Sequence, residues 1–247
     1  MWRQFKLLNT LNALTALCVT TGLAMLCAAL VILWLRFLPI QRVELEKPLD
    51  RVSFAELSEV LRGRLRGNFF TISLSQVRFG LESLPWVRRA TVRRVWPDRL
   101  IILLEEQVPV AHWGNSGKEW VNAEGEVFAA TLPGDKKSLP PGMPRLHGPE
   151  GTATELLRRY EESRRLLAPL SLEPAALTFS ARLSLDMRLA NGMTLKLGRE
   201  EQGGISATRR LKRFVAAYPR FVAKRQPPPK IVDLRYPNGF VLSPGRP

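Results

Sequence analysis

Apolar and polar positions change rhythm along the chain, and each rhythm predicts a different element. Residues 7–35 carry no charged side chain, and LTALCVTTGLAMLCAALVILWL is an almost unbroken apolar run ending near Trp34. About 20 apolar residues cross a bilayer core, so this run spans one with some tilt. Trp2 and Trp34 suit the two headgroup layers, with Arg3, Lys6 and Arg36 on the flanks. The run outlasts the roughly 7–15-residue core of a secretory signal and offers no clean small-x-small cleavage site, so it reads as an uncleaved anchor. The expected organisation is a head over residues 1–6 and a transmembrane helix over 7–36. The head is too short for active work, which leaves function to the residues beyond the helix.

Past Pro39 the pattern shortens. IQRVELE, residues 40–46, alternates like a strand. Ser53 with Glu56 three positions on forms a capping box for a helix to about Leu65, its stripe being Phe54, Leu57, Val60 and Leu61. After FFTI, Ser73 or Ser75 opens a second helix, with Leu74, Val77, Leu81 and Leu84 on one face. Pro85 ends it, and residues 86–96 read as a strand. Trp96-Pro97-Asp98-Arg99 reads as a type I turn with proline second, and residues 100–105, apolar on both faces, as a central strand. The order β-α-α-β-β over residues 40–110 predicts two helices layered on a small sheet.

A β-rich pattern fills residues 111–247. WVNAEGEVFAA predicts a hairpin turning at residues 122–125, and residues 131–151, dense in Pro and Gly, read as loop. Thr152 or Thr154 starts a helix to about Leu167, with Leu156, Leu157, Tyr160 and Leu167 inward. SLDMRLANGMTLKLG is two strands about Ala190-Asn191-Gly192. Ser206 to about Tyr218 is a helix with Leu211, Phe214, Val215 and Tyr218 on one face and Arg209, Arg210, Lys212 and Arg213 on the other. KIVDLRY, the turn Pro237-Asn238-Gly239 and FVLS form a terminal hairpin. The fold class is therefore α+β: a transmembrane helix, a small β-α-α-β-β domain, and a second antiparallel β-rich domain with flanking helices.

Charge narrows the partners without choosing one. Lys and Arg number 37 against 22 Asp and Glu, and all but two of the basic residues lie from Arg36 onward. Such an excess favours anionic partners: nucleic acid, lipid headgroups, wall polymer or an acidic protein face. The positive-inside bias of Arg3 and Lys6 is offset by Arg36, Arg42 and Lys47, so charge leaves the orientation open. Cys18 and Cys27 both fall in the apolar run, half a turn out of phase and about 13 Å apart along a helix, too far to bridge. The remainder has no thiol for a disulfide or thiolate metal site.

Catalytic chemistry has no foothold in the pattern. His112 and His147 lack ligand spacing and read as surface or loop histidines. No nucleophile elbow, phosphate loop or dinucleotide fingerprint occurs. Glu105 and Glu106 point to opposite faces of a strand and read as its solvated end. Arg88, Arg89, Arg93 and Arg94 near Trp86 and Trp96 could be a nucleic-acid strip, but the preferred reading puts the arginines on exposed faces and the tryptophans in the core. The expectations are no catalytic residue, cofactor, metal, nucleic acid or small-molecule substrate.

The stretch LESLPWVRRATVRRVWPDRLIILLEEQVPVAHWG, followed by VNAEGEVF and then LKLGRE, RLKRFVAAYP and IVDLRYPNGF, resembles the FtsQ/DivIB family of bacterial cell division proteins. The β-α-α-β-β segment resembles that family's POTRA domain. The resemblance implies a single-pass inner-membrane protein with its N-terminus in the cytoplasm and both domains in the periplasm, enriched at the septum. It implies a non-enzymatic role in joining FtsB and FtsL in the complex that regulates septal wall synthesis. The family's contact residues fall here on Arg199, Tyr236, Asn238, Gly239, Phe240, Val241 and Leu242, and the basic Arg235 and Lys230 would suit an acidic partner. A terminal hairpin at a sheet edge could accept a partner strand, over a ladder kept short by Pro237 and Pro244. The rival readings are a POTRA-bearing assembly or secretion component, for which no C-terminal barrel pattern is present, and a basic membrane protein binding nucleic acid or wall polymer.

Overall fold

A long apolar helix, α1 (Trp2–Arg36), opens the computed structural model, which describes residues 2–36, 39–131, 142–200 and 205–244. Its segment Thr15–Trp34 is apolar and long enough to cross a membrane, with none of it buried within the protein. Thr20 and Thr21 satisfy their hydroxyls on the carbonyl of Leu17, so neither brings an unpaired donor into the apolar run. Cys18 and Cys27 are both free thiols.

The chain divides into two units, Met1–Glu106 and Gln107–Pro247. In the first, β1 (Arg42–Leu45), α2 (Phe54–Arg64), α3 (Leu74–Glu82), β2 (Val87–Val95) and β3 (Arg99–Glu106) follow one another in the expected order. β3 is the central strand, parallel to β1 and antiparallel to β2. The capping box forms as the spacing requires: Glu56 N donates to Ser53 Oγ at 3.1 Å, and Ser53 N donates to Glu56 Oε2 at 2.9 Å. Ser73, not Ser75, caps α3. Leu57, Leu61, Phe69, Ile72, Val77, Leu81, Trp86, Leu100, Ile102 and Leu104 fill the core between helices and sheet.

The expected turn joins β2 to β3 at residues 96–98, and its Trp96–Pro97 peptide is cis. Two expectations change in this unit. Trp96 is 67% exposed at that turn, whereas Trp86 is 5% exposed; only one of the two tryptophans enters the core. Glu106 is not a solvated strand end. Its carboxylate accepts from the backbone N–H groups of Asp50, Arg51 and Val52 at 3.0, 2.9 and 2.8 Å, and so fixes the entry to α2.

The second unit is built on one nine-stranded sheet of order β12-β11-β10-β9-β8-β7-β4-β5-β6. Its strands are β4 (Pro109–Trp113), β5 (Glu119–Asn122), β6 (Val127–Ala129), β7 (Arg145–His147), β8 (Pro174–Phe179), β9 (Leu185–Leu189), β10 (Thr194–Gly198), β11 (Ile231–Asp233) and β12 (Val241–Ser243). The expected antiparallel order holds at the hairpins, while β4–β7, β7–β8 and β10–β11 pair in parallel, making the sheet mixed. β7 lies inside the stretch read as loop. Only Leu146 of its three residues is buried, so it has no alternation long enough to recognise. β8 likewise went unpredicted. Residues 132–141 of that loop fall outside the described residues.

The 122–125 turn is held by Asn122, whose Nδ2 donates to Gln107 Oε1 and Glu126 Oε2 while its Oδ1 accepts from Glu124 N and Glu126 N. Gly125, at φ +82°, presses so closely on Thr154 that a Cβ would meet Thr154 Cα at 2.7 Å. α4 (Ala153–Leu167) and α5 (Ala207–Ala217) pack on each other, α4 also on β7 and β8, and α5 on β10. Thr152 precedes α4 without a side-chain cap bond; its hydroxyl donates to Pro149 O instead. Leu146, Leu156, Leu167, Leu177, Met187, Leu195, Phe214 and Val232 are fully buried between the helices and the sheet.

Candidate partner-docking edge

Among the described residues β12 is the outermost strand of its sheet, and its ladder partner is β11, through Ile231↔Ser243, Val232↔Leu242 and Asp233↔Val241. An edge strand of this kind turns alternate backbone N–H and C=O groups away from its own sheet. The hairpin is looser than expected: β11 ends at Asp233 and β12 begins at Val241, so residues 234–240 form a loop that contains the expected turn Pro237-Asn238-Gly239 but is longer than it.

The candidate residues divide by burial. Tyr236 is 52% and Val241 51% exposed, and neither contributes to the core. Asn238 is also exposed. Phe240 and Leu242 are partly buried and pack on the core from the other side of the strand. Gly239 has a negative φ, and a Cβ built there meets nothing within 4 Å. Neither the backbone nor the neighbours require a glycine at this position.

Two arginines of α5 shape this edge, although they were expected on the helix's outer face. Arg213 reaches across to the loop and donates to the carbonyls of Leu234 at 3.1 Å, Tyr236 at 2.6 Å and Gly239 at 3.0 Å, and also to that of Pro237. Arg210 is only 8% exposed; its Nη1 donates to Leu197 O at 2.7 Å and Arg199 O at 2.9 Å. Position 210 follows Ala207 by three and precedes Phe214 by four, so helical spacing puts it on the inner stripe. Two carbonyls at the end of β10 accept from its Nη1 there, while its buried Nε has no hydrogen-bond partner among the described residues. Arg209 and Lys212 are exposed, as expected. Helical spacing is the signal for Arg210; nothing in the sequence sets the half-buried Arg213 apart from the solvated Arg209 and Lys212.

Arg199 is exposed, and its backbone is the one Arg210 holds. Gly198 before it, at φ +78°, abuts Arg235, whose Cγ would lie 2.8 Å from an added Cβ. The backbone next to Arg199 thus lies against Arg235 of the terminal loop, while Arg199 itself lines a cavity with Glu155, Arg159 and Phe179. Arg235 is not a free cation: it donates to Asp233 through Nε at 2.8 Å and Nη2 at 2.5 Å. That side-chain bond is the main reason the Asp233 carboxyl lies below the usual aspartate value. Lys230 is exposed beside the same hairpin.

A separate cavity of about 680 Å³ is lined by residues of β4, β7, β8, β9 and β10, among them His112, Arg145, Thr178, Asp186 and Arg188. Both histidines lie on strands: His147 is exposed on β7, a surface position as expected, and His112 is half-buried on β4. His112 stacks on Trp120 at 4.6 Å, and burial, then Arg145, pushes its pKa down. Burial pushes Asp186 up, against the pull of Lys196 and Arg235. Among the described residues, no three His, Cys, Asp or Glu side chains are grouped to hold a metal ion.

A family model for the FtsQ-type POTRA domain matches residues 38–107, and one for the C-terminal region of cell division protein FtsQ/DivIB matches residues 111–235. The chain belongs to the FtsQ/DivIB family. The cell division protein FtsQ of Burkholderia pseudomallei is 35% identical over 246 residues, spanning 98% of this chain and 94% of its own. That of Bordetella pertussis is 35% identical over 263 residues, spanning 98% and 93%. FtsQ of Nitrosospira multiformis is 37% identical over 211 residues, spanning 83% and 84%. The FtsQ/DivIB match therefore takes in both units, although the C-terminal model stops before Tyr236 and the edge strand.

Proposed function

We propose that this chain is a single-pass inner-membrane scaffold of the division complex, which binds FtsB and FtsL through the edge formed by β12, the 234–240 loop and Arg199. The role is non-enzymatic: it recruits partners that regulate septal peptidoglycan synthesis. The N-terminus lies in the cytoplasm, the two domains lie in the periplasm, and the protein concentrates at the septum.

The observation that carries this reading is the edge itself. A short outer strand stands beside exposed Tyr236 and Val241 and a glycine with open space over its Cα, while Arg213 holds the loop from behind. A partner segment adding as a further strand would gain affinity from backbone hydrogen bonds and specificity from side chains such as Tyr236. Arg199, exposed and next in the chain to the Gly198 that abuts Arg235, supplies a cation for an acidic partner residue. The carboxylate of Asp233 already engages Arg235, so Arg235 is the weaker candidate for a new ion pair.

The test is co-purification of FtsB and FtsL with full-length protein carrying Gly239→Trp or Tyr236→Ala. Both variants should fold normally and lose the partners. A variant that keeps both partners at wild-type yield overturns the site.

A further inference from the structure

The first unit ends, on one side, in exposed aromatic and basic residues, of which Phe70 packs edge-on against the core residue Phe69. Trp96 at the β2–β3 turn is 67% exposed, and Phe70 in the α2–α3 loop is 48% exposed. Arg94 links the two segments: it follows the β2 backbone toward Trp96, and its Nη2 donates to Ile72 O at 2.6 Å and Phe70 O at 3.5 Å. Arg42, Arg66 and Arg99 lie on the same rim. Its two carboxylates, Asp98 and Glu44, engage Arg42 at 3.5 Å and Arg99 at 3.4 Å. Among the described residues, Arg66 and Arg94 have no carboxylate partner, which leaves the rim cationic.

Chain connectivity fixes where this rim lies. The N–H groups of Gln41 and Arg42 both donate to Asp98 O in the β2–β3 turn, at 3.0 and 3.4 Å. Only residues 37–40 separate Gln41 from Arg36, the last residue of α1. Even fully extended, that connection reaches no more than about 18 Å. The turn bearing Trp96 is therefore confined to the neighbourhood of the membrane surface from which α1 emerges. The opposite end of the unit is not: β3 carries the chain away over about 24 Å to Glu106, whose carboxylate anchors the start of α2.

We propose that the α2–α3 loop and the β2–β3 turn form a docking rim for anionic lipid headgroups of the bilayer that α1 crosses, with Trp96 and Phe70 seated in the interfacial layer. Tryptophan favours that layer because its ring is apolar and its N–H polar, and arginines beside it meet lipid phosphates. The anchor then fixes a height and the rim a tilt. The proposal rests on the membrane reading of α1.

The test uses the full chain in nanodiscs of phosphatidylcholine and phosphatidylglycerol, with a polarity-sensitive fluorophore on a single cysteine. The reporter is Phe70→Cys, in a background of Cys18→Ala and Cys27→Ala. Phe54→Cys in that background is the distal control, since Phe54 is 76% exposed at the Glu106 end. Native Cys27 with Cys18→Ala reports insertion of α1. Position 70 should show a blue shift, quenching by headgroup-proximal spin-labelled lipid and loss of iodide quenching, whereas position 54 should show none of these. Adding Trp96→Ser, or omitting phosphatidylglycerol, should reverse much of the shift at position 70. If position 70 behaves like position 54 while position 27 is lipid-quenched, the rim proposal fails and the anchor stands. If position 27 also escapes lipid quenching, both fail.

Discussion

Arg213 Nη2 donates to Gly239 O at 3.0 Å, joining a helix to a loop residue 26 positions later in the chain. The same guanidinium serves the carbonyls of Leu234, Tyr236 and Pro237, so one planar group with several donors holds a loop that has few other fixings. The loop is thus shaped from inside the protein before any partner arrives.

Arg213→Ala should therefore free the 234–240 loop while leaving the sheet intact. We expect a loss of about 1–3 kcal/mol in the second unit, from charge-assisted bonds removed at a partly solvated site. Amide hydrogen exchange should quicken at residues 234–243 and not at β8 or β9. Arg213→Lys should restore little, because an ammonium cannot match a planar fork across four carbonyls.

Arg210→Met should be the more damaging change, although it removes a charge from a nearly buried position. The carbonyls of Leu197 and Arg199 lose their donor at the end of β10, at a cost of about 2–4 kcal/mol. A denaturant-midpoint comparison with Arg209→Met, where the side chain is exposed, should separate the two by most of that amount.

Glu106→Gln tests the clamp on the entry to α2. Three backbone donors would meet a neutral amide in place of a carboxylate, weakening charge-assisted bonds by about 1–2 kcal/mol in all. Faster exchange should be confined to residues 50–57, with the second unit unchanged.

Acid should loosen the terminal hairpin through Asp233. Its folded pKa lies below the ordinary 3.8, chiefly through the bond from Arg235, so the pair stabilises the fold above that value. The contribution is lost as pH falls from 3.8 through the lowered folded value. Stability of Asp233→Asn relative to wild type, measured at pH 6 and again below pH 3, should show a deficit that shrinks on acidification. A deficit independent of pH would remove the ionic explanation.

Local rules carried far in this chain. Apolar length gave α1, the Ser53–Glu56 spacing gave the start of α2, and the Asn191-Gly192 pair gave the β9–β10 hairpin. The candidate edge was legible as a hairpin, and its exposed Tyr236 and Val241 agree with an outward-facing surface. What escaped was set by contacts distant in sequence. β7 has one buried residue in three, and its pairing with β4 and β8 depends on partners more than 25 residues away. Arg210 and Arg213 sit in a run of four basic residues; helical spacing places Arg210 on the inner stripe, but only the position of the terminal loop decides that Arg213 turns toward it. Trp96 was assigned to the core by residue type, but its turn leaves it outside.

The order of strands across the sheet differs from their order in the chain, and this gives the edge a place in time. β12 lies against β11, β11 against β10, and the loop between them is held by α5, all made before β12 itself. The proposed docking edge cannot form until the other described strands of its sheet have been synthesised. On the proposed function, a partner that reads β12 would meet only chains in which the strands that support it are already made.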